Sequence, residues 1–533
     1  MPALISHQLS FQLSTGEWLF KDINFNLEPG LTGLVGRNGS GKSVLVSLLN
    51  GSQVATEGYV QRQGKVGFYS QLPSELLSSD TTISDYLGLT EIRLALRAIE
   101  KGHCDDQYFD LIGEDWDIES RTQSILAGLR VPCDLDTQCS TLSGGQLALL
   151  QLYKLFESDT DILLLDEPSN HLDSVGKAWL AQRLQTFSQE SSNSGSHRSV
   201  LLVSHDRSLL RQVGGIYQLT KLGLRYFKGN YDHFVEQTTQ QSIALNRQID
   251  HLETEKKKIE RQAQINREKA EQREAHGNRI RKSGSQPKIL MDAMKGKAEK
   301  TRSALLTNQH NQMGRNQEKL QSLMKQKEIL KPQAMYLQSS SEVKKRTLVN
   351  LEECRLDFGS DIPISMAISQ SDRCYLHGSN GCGKSTLLKA IQGLHNQYRG
   401  ELKVMTKTMY LDQHFGLFEN DDSMLDSLMH TCRGLIESEA RTLLAGIGFR
   451  RDSVHREVKH LSGGEKMKLS MLMVSHIEDA PLLLLDEPDN HLDIESKQIL
   501  AEALNQYKGS FILVSHDEDF VEEVGVNKRI SLS

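Results

Sequence analysis

Two adjacent carboxylates close an apolar run at two distant places in this chain: Asp166 and Glu167 in ILLLDEPSNHLD (162–173), and Asp486 and Glu487 in LLLLDEPDNHLD (482–493). A carboxylate at the end of a buried strand can hold a divalent cation, directly or through water. A second carboxylate beside it can orient and deprotonate an attacking water. That pairing is useful only where a phosphate is held nearby, so the next question is what binds one.

Two glycine-rich stretches answer it. GRNGSGKS (36–43) and GSNGCGKS (378–385) each follow a strand-like apolar run and lead into a helical pattern, VLVSLL and TLLKAI. In that setting the backbone at Gly36, Asn38, Gly39, Ser40 and Gly41, and at Gly378, Asn380, Gly381 and Gly383, can close around phosphate oxygens. The following helix adds its positive dipole end. Lys42 and Lys384 are expected to hold the outer phosphates. Ser43 and Ser385, the latter followed by Thr386, are expected to ligate Mg²⁺ together with Asp166 and Asp486. Glu167 and Glu487 are then the candidate general bases. His205 and His516 each stand in SHD after another apolar strand, where an imidazole can bond the γ-phosphate and register its loss. Gln71 and Gln413 each lie 29 residues beyond the loop lysine, after VGFYS and TMYLD, and are candidate Mg²⁺ and water ligands.

All these blocks recur in the same order, as do STLSGGQ (140–146) and KHLSGGE (459–465), so the chain contains a duplicated domain. β-rich runs alternate with glycine turns and helical patterns, which predicts α/β domains built on a buried, largely parallel sheet. We place the first domain at residues 1–235 and the second at 341–533. From loop lysine to signature serine there are 101 residues in the first half and 78 in the second. The surplus reads as a helical insertion at about 88–112.

Residues 236–340 differ in kind. They are dense in Gln, Lys, Arg and Glu, with a break at SGSQPK between two helical stretches. A thin apolar stripe (Ile243, Ile249, Leu252 and Ile259, then Leu320, Leu323 and Leu330) suits two antiparallel helices zipped as a coiled coil. Between Gln240 and Gln333 there are 21 Lys/Arg against 11 Asp/Glu, a surplus of ten that leaves the rest of the chain at −17 within a total of −7. The basic residues cluster at the break: Arg279, Arg281, Lys282, Lys288, Lys295 and Lys297. A basic tip of that kind suits an RNA backbone.

With 533 residues, 38% hydrophobic and 25% charged, the composition is that of a globular protein of two or three domains. The opening residues lack a basic region followed by an apolar core, so no signal peptide is expected. No apolar run reaches the roughly 18–20 residues needed to span a bilayer. Seven scattered cysteines without a C-x-x-C pair argue against a zinc site or disulfide framework and fit a reducing cytoplasm.

The LSGGQ and LSGGE turns, set between phosphate loops and DEP motifs, resemble the signature of ATP-binding cassette proteins. The tandem cassettes, NHLD after each DEP, and FKGNYDHFVEQ (227–237) leading into a charged helical linker resemble the F subfamily over essentially the whole chain. The resemblance implies two P-loop α/β cassettes joined by a long antiparallel α-helical linker, with ATP and Mg²⁺ as ligands. It implies that each signature completes the other cassette's site. Ser143, Gly144 and Gly145 would then face ATP held by Lys384, and Ser462, Gly463 and Gly464 would face ATP held by Lys42. It further implies a cytoplasmic monomeric ATPase that binds the ribosome near the tRNA exit site, its linker meeting rRNA and peptidyl-tRNA. Antibiotic resistance by ribosome protection stays open as a second function. A cytosolic ATPase serving membrane subunits or DNA is a third. In half two Phe358 can serve as the family's adenine-stacking aromatic, whereas LSTGE (13–17) in half one offers none. Cys382 in the second phosphate loop and Asp489 after the second DEP also depart from the family pattern.

Overall fold

The computed structural model describes residues 3–532 apart from 71–79, 104, 171, 194–197, 283–302, 304–306, 309, 325–345, 359–361, 380, 396–397, 413–421, 433, 450, 477–481 and 491. The chain divides into two compact units. One joins Met1–Asp232 with Pro332–Ser533, and the other is His233–Lys331.

The first unit holds two cassettes of the same design. In the first, β1 (Ala3–Gln12), β2 (Trp18–Asn26), β3 (Gly30–Gly36), β4 (Glu57–Gln63), β5 (Val66–Tyr69), β6 (Ile162–Asp166), β7 (Ser199–Val203), β8 (Gly215–Thr220) and β9 (Gly223–Lys228) form two sheets. The larger is ordered β5-β6-β7-β3-β8-β9, parallel except for the β8–β9 hairpin. Its central strands SVLLV and ILLLD are buried on both faces, as strands must be when helices cover both sides. In the second cassette β10 (Thr347–Leu356), β11 (Ile364–Ser369), β12 (Arg373–His377), β13 (Tyr398–Val404), β14 (Thr408–Leu411), β15 (Leu482–Asp486), β16 (Phe511–Val514) and β17 (Lys528–Ser531) repeat the plan. The parallel sheet there runs β14-β15-β16-β12-β17.

Each cassette also carries a three-stranded antiparallel sheet, β2-β1-β4 and β11-β10-β13. Both are pinned by the same device. Gln8 (φ 47°) and Glu353 (φ 49°) interrupt the long strand in a left-handed conformation. A glycine sits against each, Gly58 (φ 83°) against Gln8 and Gly400 (φ 108°) against Glu353. A Cβ on either glycine would lie 2.4 Å from a facing carbonyl oxygen, so backbone would have to move. In the surplus stretch of the first cassette lie helices Thr90–Glu100 and Asp106–Ile112. Arg93 is buried there, bonded to Asp136 at 2.8 Å and Glu119 at 3.1 Å.

In the second unit a single helix runs Tyr231–Lys282, and residues 310–324 are helical again. Ile249 and Leu320 are buried, and Arg247, Leu252, Lys319 and Leu323 line one cavity, so the two helices face each other along the stripe. Ile243 lies off the seam and stays 46% exposed, while Leu330 and the SGSQPK break fall outside the described residues. Asn316, on the second of these helices, is also buried. A single polar residue in such a seam fixes register at a cost in stability.

The glycine device gives a ranked prediction. Gly58→Ala and Gly400→Ala should each destabilise by more than the roughly 1–3 kcal/mol of left-handed strain alone, because backbone atoms block the new methyl. Gly16→Ala (φ 84°, nothing within 4 Å of its Cβ) should show the strain alone. Thermal midpoints measured side by side should fall least for Gly16→Ala.

Candidate functional site

Three neighbouring parallel strands in each sheet end at the same edge, and each delivers one chemical block. In the first cassette β6 ends in Asp166 and Glu167, β7 leads to His205, and β3 leads into the phosphate loop. In the second, β15, β16 and β12 do the same for Asp486 and Glu487, for His516 and for the second loop. Register brings Asp166 opposite Val203 and Asp486 opposite Val514, so each acidic pair stands beside its SHD turn.

The loops have matching geometry. Gly41 (φ 95°) and Gly383 (φ 99°) take left-handed conformations as the N-caps of helices Lys42–Asn50 and Lys384–Gln392, and Gly39 and Gly381 are left-handed too. Lys42 Nζ donates to Gly36 O at 2.8 Å, and Lys384 Nζ to Gly378 O at 2.8 Å, so each ammonium folds back across its loop. Ser43 and Ser385 sit at the second residue of their helices, with Thr386 next. The departure at Cys382 has a plain account. Its Sγ occupies the space beside Gly378, where a Cβ would come within 2.7 Å, as Ser40 Oγ does beside Gly36.

Glu167 (φ 50°) and Glu487 (φ 51°) both hold left-handed backbone conformations, which are uncommon for a residue with a side chain. Each donates its backbone N–H to the neighbouring strand at 2.9 Å, to Val203 O and to Val514 O. Such strain costs on the order of 1–3 kcal/mol and clusters where geometry serves chemistry. His205 Nε2 lies 3.4 Å from Glu167 Oε1, and His516 Nε2 lies 3.3 Å from Glu487 Oε1. Neither contact is aligned as a hydrogen bond, and both imidazole nitrogens of His205 lack a partner among the described residues.

Electrostatics separate the two sites. Burial pushes the Glu167 carboxyl up to about 7, against the pull of Lys42 and with a contribution from Asp166. Burial also pushes Asp166 up, and drives His205 well below the usual imidazole value, so that ring is neutral. Burial pushes Glu487 up too, but the His516 ring, Lys384 and the Asn490 amide outweigh it and hold Glu487 below its ordinary value.

The signature serines cap their helices. Ser143 forms a capping box with Gln146 at the head of Gly144–Glu157, and Gly145 follows in the first turn. Ser462 heads Gly463–His476, its hydroxyl donating to Glu465 at 2.9 Å, with Gly464 next. The motif NHLD alone assigns no role to its last residue. The structure shows that Asp493 joins the cassettes: its Oδ2 accepts from the Asn38 backbone N–H of the first phosphate loop at 2.8 Å, while its Oδ1 caps its own helix at Ser496 N. Two residues on, Glu495 pairs with Arg37 at 2.6 Å. Arg211 adds a bidentate pair to Asp519 at 2.8 and 2.9 Å, and Arg207 pairs with Glu523. Asp489, the other departure, is fully buried 3.9 Å from Lys497, which Asp517 holds at 2.7 Å. Gln71, Gln413 and Asn380 lie outside the described residues. Phe358 is 62% exposed, its ring 6.3 Å from that of His395.

The buried polar atoms fit a metal-bound nucleotide. Ser40 Oγ, Asp166 Oδ1 and Glu167 Oε1 are buried without a partner among the described residues, and all three belong to the first loop and the acidic pair. Buried polar groups left unbonded cost on the order of 1–3 kcal/mol each unless a ligand or water satisfies them.

A family profile described as ABC transporter matches residues 20–170 and 362–490, over half of the chain. This chain belongs to the ABC transporter family. ABC transporter F family member 5 of Arabidopsis thaliana is 28% identical over 559 residues, covering 97% of this chain and 73% of that protein. Ribosome protection protein VmlR of Bacillus subtilis is 27% identical over 526 residues, covering 96% and 84%. Among solved structures, the archaeal ribosome recycling factor aABCE1, in complex with the stalk protein aP1, superposes with a TM-score of 0.55. It covers 98% of this chain and 87% of that one at 17% identity, a likeness of fold. The ABC protein described here is thus a tandem-cassette member with a helical linker between its cassettes. Among the described residues no helix is long and apolar enough to cross a membrane.

The cross-cassette contacts yield a ranking. Asp493→Ser keeps a helix cap but cannot reach Asn38, removing a charge-assisted bond worth about 1.5–3 kcal/mol. Glu495→Ala removes an ion pair whose partners are 41% and 38% exposed, worth about 1 kcal/mol or less. ATPase assays should show a loss of about tenfold or more for Asp493→Ser and at most about fivefold for Glu495→Ala, and the thermal midpoint should fall further for Asp493→Ser. Equal losses would contradict the ranking.

Proposed function

We propose that this protein is an ABC-F-type ATPase that binds the ribosome near the tRNA exit site and acts on translation through its interdomain linker. The carrying observation is the contact of the first phosphate loop with Asp493 of the other cassette, in a chain of net charge −7 whose basic surplus is gathered in the helical linker. A loop that bonds the opposite cassette makes nucleotide occupancy and cassette pairing one event. Relatives whose names refer to ribosome protection and ribosome recycling favour the ribosome as the target. The name of the first of these also supports the second reading, protection of the ribosome from an antibiotic.

In this reading Lys42 and Lys384 leave their loop carbonyls for the outer phosphates. The backbone N–H groups of residues 36–41 and 378–383 close around phosphate oxygens. Ser143, Gly144 and Gly145 complete the second site, and Ser462, Gly463 and Gly464 the first. Ser43 with Asp166, and Ser385 with Asp486, would hold Mg²⁺, assisted by Gln71 and Gln413. The cation, when bound, neutralises charge on the β- and γ-phosphates. Glu167 and Glu487 take the proton of the attacking water, for which Glu167 must be ionised. His205 and His516 stand beside these bases and bond the transferred phosphoryl group. The free energy of hydrolysis then becomes separation of the cassettes.

Two measurements test this. Glu167→Gln with Glu487→Gln should leave nucleotide binding intact and cut turnover by about 10²–10⁴-fold. An unchanged turnover rate would remove both glutamates from the base role. Reversing the charge of Arg279, Arg281, Lys282 and Lys288 should leave ribosome-free ATPase within about twofold and weaken ribosome cosedimentation. The salt dependence of that binding should flatten, because fewer counterions are released. Unchanged cosedimentation together with unchanged translation in a cell-free assay would make the basic tip a solvated face.

A further inference from the structure

The two acidic strand ends are not equivalent. In the second cassette both carboxylate oxygens of Asp486 are engaged: Ser385 Oγ donates to Oδ1 at 3.1 Å, and the Tyr410 hydroxyl donates to Oδ2 at 2.7 Å. Tyr410 reaches it from the neighbouring strand, where β14 pairs with β15 and sets Tyr410 opposite Leu484. In the first cassette β5 pairs with β6 in the same register and sets Phe68 opposite Leu164. Phe68 therefore stands where Tyr410 does but brings no hydroxyl, and Asp166 Oδ1 is left buried without a partner among the described residues.

We propose that Tyr410 is a positioning residue of the second site: its hydroxyl ties down one oxygen of Asp486 and leaves the oxygen beside Ser385 to face a divalent cation. The second site then holds the cation–nucleotide pair more tightly than the first, where Ser43 bonds Asp166 but Phe68 supplies no second donor. This rests on the reading of Asp486 and Ser385 as cation-holding residues. The hydroxyl is suited to the task because a phenol is a hydrogen-bond donor at neutral pH. Groups that orient a ligating carboxylate from behind are commonly worth about 10–100-fold in metal affinity. The bland alternative is that Tyr410 merely satisfies a half-buried polar group, which predicts a change in stability and none in cation affinity.

The test is Mn²⁺ binding to the full chain with a non-hydrolysable ATP analogue, read by loss of the free-Mn²⁺ electron paramagnetic resonance signal, so that turnover plays no part. The parent should show a tighter and a weaker class of site. Tyr410→Phe should weaken the tighter class about tenfold. Phe68→Tyr, the reciprocal change, should tighten the weaker class, which also guards against reading general damage as an effect. Asp486→Asn should abolish the tighter class altogether. If Asp486→Asn leaves both classes intact, the assignment of the cation to Asp486 fails, and the inference with it. If Asp486→Asn abolishes the class while Tyr410→Phe leaves it unchanged, the assignment stands and the role of Tyr410 is overturned.

Discussion

The register of three adjacent parallel strands is the constraint on which the rest depends. Strands buried on both faces have no room for chemistry along their length, so reactive groups must sit at their ends. Because β6, β7 and β3 run parallel and pair without a slip, the acidic pair, the SHD turn and the phosphate loop emerge together. A shift of one residue between β6 and β7 would turn every side chain of one strand to the opposite face. The left-handed glutamates follow from the same pairing, since their N–H groups remain bonded to the next strand while the chain turns away.

The duplicated geometry carries unequal electrostatics. Matching backbones place Glu167 and Glu487 alike, yet burial dominates at Glu167 whereas the His516 ring, Lys384 and Asn490 outweigh burial at Glu487. The difference arises from side chains around a shared frame: Phe68 against Tyr410, Ser169 against Asp489. Asp489 and Lys497 add a buried charge cluster that reaches across the cassettes, since Lys497 also acts on Glu167, His205 and Asp206 of the first cassette. A buried charge of this kind is strongly destabilising once its partner is removed. Its members therefore depend on one another, and an exchange of one alone leaves the others unpaired.

Much of this was legible in the residue order, for reasons that differ by element. Phosphate loops, the DE pairs and the SHD turns are local: a few adjacent residues set both conformation and chemistry, so the candidates are visible in the residue order itself. The duplicated fold was legible because buried parallel strands read as continuous apolar runs, and the helical hairpin because its stripe has the period of a helix. The stripe did not show that Ile243 lies off the seam, since that depends on where the second helix passes.

Tertiary structure alone decided what lies between distant segments. The contact of Asp493 with Asn38 spans 455 residues, and nothing in NHLD states which carbonyl or amide its aspartate will meet. The bulges at Gln8 and Glu353, each met by a glycine, arise from strand pairing and have no local signature. Tyr410 and Phe68 look like ordinary strand residues until pairing sets one of them beside a carboxylate. Sequence determined the reactive groups and the elements that carry them, because both are short-range properties of the chain. The partner of each buried charge, and hence the difference between the two sites, was decided by packing, which acts between residues hundreds of positions apart.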